Sequence, residues 1–340
     1  MTQISHSRVE SALLCMRKDH YGYYLGLRRK KESDSLAIGT AGHACLEALY
    51  STLLAQGKSA AAQRRAWKHG VAAMWAKYHG LVAEGYEDGA SNRWTLEECL
   101  QHYERLEALV QNGWRVLAVE KEFHVRWNDE GDTMNFKVDL IAANPQGKIV
   151  VVDHKFVWDY YSPKVVRLQP QLPKYIGMLR FLGYKIESGL YNMVRTRKVQ
   201  GEKMLKADLI AALEQVGGLT TGKVEELQAR LEARDIEHTK PVKDEQLLQT
   251  QPVEASDARV SRTLQEQFLK AEQLIELDKE GASRRDLLSF RVANNMICKS
   301  CSFNELCATE LAGDDTTLVM EEFVKRDPRE LPPLDGEEDD

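Results

Sequence analysis

Apolar and polar positions follow two rhythms along this chain. Between residues 40 and 112 the apolar residues recur at helical spacing, in a stretch rich in Ala, Leu, Glu and Arg. Trp67, Met74 and Tyr78 share one side of it, and Gly80, Gly85 and Gly89 mark breaks. A short helix within residues 5–30 runs into Tyr21, Tyr23 and Tyr24. At Trp114 the rhythm becomes alternation. Residues 114–127, 134–144 and 149–156 read as three strands, separated by the turns NDEGD and NPQGK. Residues 168–182 return to helical spacing, and residues 189–197 read as a fourth strand. Two short amphipathic helices are expected in 201–238, a polar linker in 240–257 and one long helix in 258–280.

This order predicts an α/β fold: a mixed central sheet flanked by helices, with a helical N-terminal part (1–112) and a core (113–200). A helical insertion (201–238), a linker (239–257), a closing segment (258–312) and an acidic, disordered tail (313–340) are expected to complete it. With 43% apolar and 29% charged residues among 340, the composition is ordinary for a globular protein. It excludes a collagen-like chain and a small disulfide scaffold. No apolar run reaches the ~18 residues a membrane span needs. The first residues lack a basic region followed by an apolar run, so a cytoplasmic protein is expected. Seven acids and one Arg in 327–340 account for the whole net charge of −6, so residues 1–326 balance. The acidic total therefore does not argue against an anionic partner.

Candidate chemistry lies in strands two and three. A five-residue loop, Asn144 to Lys148, pairs Ala143 with Ile149, which sets Asp139 opposite Asp153. Opposed residues share a face, with Cβ atoms about 5 Å apart. Two such carboxylates repel unless a cation lies between them, and a divalent ion is the natural occupant. Lys155 lies two residues on and shares the face of Asp153. Two carboxylates, a metal and an ammonium are equipment for phosphodiester hydrolysis.

Asp139 followed by Asp153-His154-Lys155 resembles the PD-(D/E)xK nuclease core, and more specifically its RecB-type branch. Gly39-Thr-Ala-Gly-His43 resembles that branch's G-x-x-x-H motif, and Gln171-Leu-Pro-Lys-Tyr175 its Q-x-x-x-Y motif. Glu120 stands where the family often has an acid on its first core strand. The resemblance implies that His43, Asp139, Asp153 and the His154 carbonyl bind Mg²⁺ or Mn²⁺, and that Lys155 is catalytic. It implies that Gln171 and Tyr175 hold DNA or position the lysine. Two positions depart from the pattern: Phe136 replaces a usual Gly, and Phe156 a usual Thr or Ser.

Three of the six cysteines, Cys298, Cys301 and Cys307, crowd within ten residues, a spacing that favours metal ligation over disulfides. Four thiolates would accept zinc or a [4Fe–4S] cluster. Resemblance to iron–sulfur RecB-type nucleases, the AddB subunit and CRISPR-associated relatives among them, implies Cys15 as the fourth ligand and a structural [4Fe–4S] cluster. Cys45 and Cys99 are expected in the core.

The stretch 205–231 resembles a SAP-type DNA-binding motif. From Lys164 to Lys206 there are ten basic residues, including Lys174, Arg180, Arg195, Arg197, Lys198 and Lys203, against Glu187 and Glu202. That excess is a footprint for phosphates. The expected function is metal-dependent exonucleolytic cleavage of DNA, in phage or bacterial DNA processing or recombination. The alternative is a non-autonomous nuclease or DNA-binding subunit beside a helicase or recombination partner. The chain has no GxxxxGK[ST] loop with which to be that helicase itself.

Overall fold

The structure, a computed structural model, describes residues 2–30, 34–86, 89–106, 113–197, 204–236, 243, 246–254, 256–281, 286, 288–292 and 295–326. The chain opens with β1 (Gln3–Ser5), α1 (His6–Leu14), α2 (Met16–Asp19), a π-helical turn (His20–Tyr24) and β2 (Leu27–Arg29). Three long helices follow: α3 (Asp34–Gln56), α4 (Ala60–Ala83) and α5 (Ala90–Leu106). Then come β3 (Arg115–Arg126), β4 (Thr133–Ala143), β5 (Ile149–Val157), α6 (Pro163–Leu168), α7 (Gln171–Phe181) and β6 (Ile186–Arg195). The chain continues through α8 (Lys206–Gln215), α9 (Val224–Glu232), β7 (Leu248–Val253) and α10 (Asp257–Lys279). It ends in α11 (Asn295–Lys299), α12 (Asn304–Ala312), α13 (Thr317–Met320) and β8 (Phe323–Lys325).

The fold is mixed α/β, with a central mixed sheet between helices. β4 pairs antiparallel with β3 along its length. On its other side it pairs with β5 only over Leu140–Ala143, and with β1, in parallel, over Thr133–Asn135. The sheet therefore splits beyond Leu140, and β1 with α1 fills the lower half of the gap. β6 joins β5 in parallel, and β7 closes the edge antiparallel to β6. One face packs on α1, α7 and α10 through Val9, Val151, Leu172, Ile176, Met193, Val260 and Leu274. The other packs on α3 and α5 through Leu49, Tyr50, Val150, Val152, Tyr103 and Leu190.

The β4–β5 turn has the expected register, with Ala143 opposite Ile149. Asn144 fixes it: its Oδ1 accepts from the backbone N–H of Gln146 and Lys148, and Gly147 takes the left-handed conformation (φ 80°).

Other expectations are corrected. The supposed linker contains β7, whose Gln249, Gln251 and Pro252 look like a loop but suit an edge strand with one face in water. The supposed tail is ordered as far as Arg326, with β8 antiparallel to β2. Only 327–340 of it lies outside the described residues, as does most of the linker before Gln246. The helix expected at 168–182 is α7, Gln171–Phe181, and a separate short helix, α6, precedes it, because Gln169 leaves helical geometry ahead of Pro170. β1, β2 and β8 have three residues each, too few to show a period. Among the described residues no helix is long and apolar enough to cross a membrane.

Candidate functional site

The split beside β5 is where the chemistry-bearing residues gather. The β4–β5 ladder ends at Leu140–Val152, one pair short of Asp139 and Asp153. In its place Asp139 Oδ2 accepts the backbone N–H of His154 at 2.8 Å. That bond holds the carboxylate at the fork. Across β3, Glu120 lies opposite Asp139, between the pairs Val119–Leu140 and Lys121–Val138. Glu120 has φ 43°, which a non-glycine residue adopts only under strain. The faces of both strands invert here. Phe123, Phe136 and Val138 join the core under α1 and α7, whereas Val119, Leu140 and Ala142 join the one under α3. A register-neutral kink in both strands thus turns two acids toward one point.

α3 brings His43 to the same point. The donor atoms of His43, Glu120 and Asp139 all lie within 4.8 Å of one another, with His43 Nδ1 3.7 Å from Asp139 Oδ2. Among the described residues this is the one such group. Burial, partly offset by Asp153 and Glu120, lowers the His43 pKa, which keeps its imidazole neutral and free to ligate. Lys137 neutralises Glu120 at 2.6 Å. Next to the group, Asp153 is 2% exposed and its Oδ2 meets Lys155 Nζ at 2.8 Å. Burial pushes the carboxyls of Asp139 and Asp153 upward; the backbone bond on Asp139 and the Lys155 charge beside Asp153 oppose it. Burial works against the Lys155 charge, but Asp153 more than restores it and its pKa is raised. The place wants positive charge near its acids.

His43, Glu120, Asp139, Asp153 and Lys155 meet at this fork, with Tyr175 and Gln171 behind them, in an arrangement that differs from the expected one. Glu120 is in the donor group, while Asp153 is paired with the lysine. The His154 side chain points away from it. Its ring is buried, stacks on Tyr50 (5.4 Å, 13°) and has Nδ1 3.1 Å from Asn192 Nδ2; burial lowers its pKa to about 3. Gln171 donates to the Tyr175 hydroxyl at 3.2 Å. Tyr175 is 6% exposed and stacks on Phe136, so it supports the floor of the site and is too buried to grip DNA. Phe136, where a Gly was usual, supplies that floor.

Sequence reasoning missed a layer under Lys155. Lys174 is 1% exposed and binds Glu10 at 2.6 Å, with His6 Nε2 3.7 Å from Glu10. The spacing of His6 and Glu10 at i and i+4 was the available signal. Lys174 therefore leaves the expected phosphate footprint. Arg180, bonded to the carbonyls of Ile186 and Glu187, is structural, and Arg197 is paired with Asp159. Lys198 and Lys203 lie outside the described residues.

Phe156 explains a glycine. A Cβ on Gly42 would come within 2.2 Å of the Phe156 ring, while one on Gly39 meets nothing within 4 Å. Gly42→Ala is expected to push α3 and His43 off β5 and to cost about 1–3 kcal/mol. Gly39→Ala, in the same helix, is expected to be neutral or stabilising by up to about 1 kcal/mol. Urea unfolding of the two variants checks the contrast.

The four cysteines lie away from the fork. Cys15 follows α1, and Cys298, Cys301 and Cys307 lie on or between α11 and α12; all four are half-buried. Burial, with Cys15 and Cys298 as neighbouring thiols, raises the Cys301 pKa. Cys301 and Cys307 line an apolar cluster of Tyr21, Leu27, Phe303, Leu306 and Phe323, and Arg291 donates to Cys307 Sγ at 3.3 Å. This donor set fits a four-thiolate group, yet no three of the sulfurs lie within 4.8 Å of one another. Cys45 and Cys99 are core residues, and burial pushes both thiols up to about 12.

One solved structure similar to the chain is described as the crystal structure of SSO0001. It shares 12% identity over 82% of this chain and 86% of that one, with a TM-score of 0.30. No curated protein matches. A family model does, over residues 3–308, from the first residue of β1 into α12. Its description is the PD-(D/E)XK nuclease superfamily, and to that superfamily this chain belongs.

Proposed function

We propose that this chain is a metal-dependent DNA exonuclease with a structural [4Fe–4S] cluster. The observation that carries the reading is the meeting of His43, Glu120 and Asp139 within 4.8 Å, beside the Asp153–Lys155 pair. Membership of a nuclease superfamily supports the reaction class. His43, Glu120, Asp139 and Asp153, with the His154 carbonyl, would hold Mg²⁺ or Mn²⁺. Such an ion, when bound, polarises a phosphoryl oxygen and acidifies a water. Lys155 keeps its proton, and its ammonium offsets charge that builds on the phosphate in the transition state. Asp153 fixes that ammonium, while Tyr175, Gln171 and Phe136 keep its surroundings in shape. Cys15, Cys298, Cys301 and Cys307 would hold the cluster.

A surface for phosphates supports DNA as the substrate. α4 has no acidic residue, and its Arg64, Arg65, Lys68 and Lys77 are exposed. α4 packs on α3, the helix of His43, with Gly70 against Cys45. Arg167 and Lys164 add charge near β5. The hairpin α8–α9 has its own core of Leu209, Leu213, Leu227 and Leu231 and would act as a SAP-like auxiliary contact.

Digestion of end-labelled linear DNA beside a covalently closed circle, with Mn²⁺ or Mg²⁺, tests the proposal. Loss of the linear DNA alone is the expected result. Cutting of the circle makes the enzyme an endonuclease. If both survive, the chain is not an autonomous nuclease and works with a partner.

A further inference from the structure

Trp158 is a large aromatic side chain close in sequence to Lys155 that is mostly in water. It is 67% exposed, three residues beyond Lys155 at the end of β5. At about 3.3 Å per residue, its Cα lies within about 10 Å of that of Lys155. A stacked nucleic-acid strand advances about 3.4 Å per nucleotide, so the indole stands a few nucleotides from a phosphate at the fork.

The backbone under it is pinned on both sides. Thr196 N–H donates to the Val157 carbonyl at 2.9 Å, and Arg197 binds Asp159 at 2.6 Å. The Tyr160 ring lies under the Arg195 guanidinium, 4.1 Å from its centroid, and the Tyr161 carbonyl accepts from Gln251 at 2.7 Å. The indole itself is mostly exposed. An exposed aromatic face whose neighbouring backbone is held by Arg195 and Arg197, with Lys164 and Arg167 on the helix that follows, matches a nucleobase followed by its phosphates. It matches a protein partner less well, since such a partner would have to bring acids to those cations. A paired base has its faces covered by its neighbours, so the platform takes an unpaired one.

We propose that Trp158 stacks on an unpaired base a few nucleotides from the reacting phosphate, which makes single-stranded or frayed DNA the preferred substrate. This rests on the nuclease reading above and supplies its strand preference. Binding separates the two. Labelled oligo-dT and a closed hairpin duplex are titrated by fluorescence anisotropy against the full-length protein, without added divalent metal, in the Lys155→Ala background. Trp158→Ala is expected to weaken oligo-dT binding about tenfold or more, to leave duplex binding within about twofold and to leave Tm unchanged. Trp158→Phe, which keeps a ring, is expected to recover most of the loss. An unchanged oligo-dT affinity, or equal losses on both DNAs, overturns the stacking role while leaving the nuclease reading in place. Failure of the parent protein to bind either DNA removes both.

Discussion

Lys155→Ala is expected to lower DNA cleavage about a thousandfold, in line with the loss of one positioned charge at a reacting phosphate. The reason is local. Its ammonium is 2.8 Å from Asp153 and keeps its charge, and the lysines nearest to it are committed elsewhere. Lys137 is committed to Glu120, and Lys174 to Glu10. The same change has a second signature that does not involve substrate. Without the lysine, Asp153 is a buried carboxylate with no ammonium, which costs about 3 kcal/mol, the lower end for a broken buried pair.

That cost depends on pH, and its sign follows from the raised carboxyl pKa. The folded state holds the Asp153 proton more tightly than the unfolded state does. Stability from this group is therefore full below the ordinary carboxylate range and is lost as pH rises through the raised value. Removing Lys155 raises that value further. Urea unfolding without added metal is expected to show Lys155→Ala closer to the wild type at pH 5 than at pH 8. Cleavage within tenfold of the wild type would take Lys155 out of the chemistry. A pH-independent stability loss would mean that Asp153 was not its partner.

How far the sequence led depends on how local each signal was. The turn register that brings Asp139 near Asp153 follows from one loop length and survives in the structure, but the opposed pair expected from a period of two does not form, because the ladder ends at Leu140–Val152 and the strand faces invert at Asp139. The place of Glu120 in the donor group is not legible in the sequence, because it depends on φ 43° and on an inversion of two strand faces, which no periodicity reports. The same limit hid Lys174. It sits in a basic stretch and reads as a surface charge, yet Glu10, 164 residues away, draws it into the core. β7 was lost for the opposite reason. Its residues are polar because one edge faces water, and only the partner strand β6 makes it a strand. Phe136 and Phe156 looked like departures from a motif. They are the packing that sets Tyr175 on one side of the fork and Gly42 with His43 on the other.

Cys298→Ser, and Cys301→Ser beside it, are expected to release iron and acid-labile sulfide and to lower Tm by roughly 10–20 °C. The size follows from the chain between the ligands. A cluster joining Cys15 to Cys298 closes a loop of about 280 residues, worth on the order of 5 kcal/mol in the unfolded chain. A chain of this size shifts by roughly 2–4 °C per kcal/mol. The ends have other ties, which is why the shift is not a complete loss of fold. Arg17, two residues after Cys15, pairs with Asp286 and Glu310, and Arg291 pairs with Glu310 as well. β2 and β8 join the same two ends through Leu27–Arg29 and Phe323–Lys325. These contacts bring Cys15 toward the trio before any cluster is inserted, so iron uptake is expected to follow folding of the sheet. Cys45→Ser and Cys99→Ser are the controls, since both thiols are buried in the helical layer and far up in pKa. They are expected to keep the full iron content. Zinc in place of iron in the wild type would keep the staple and change its metal. Retention of iron and Tm by Cys298→Ser would mean that Arg17, the β2–β8 pair and contacts such as Tyr21–Glu310 and Arg8–Asp278 hold the ends without a cluster.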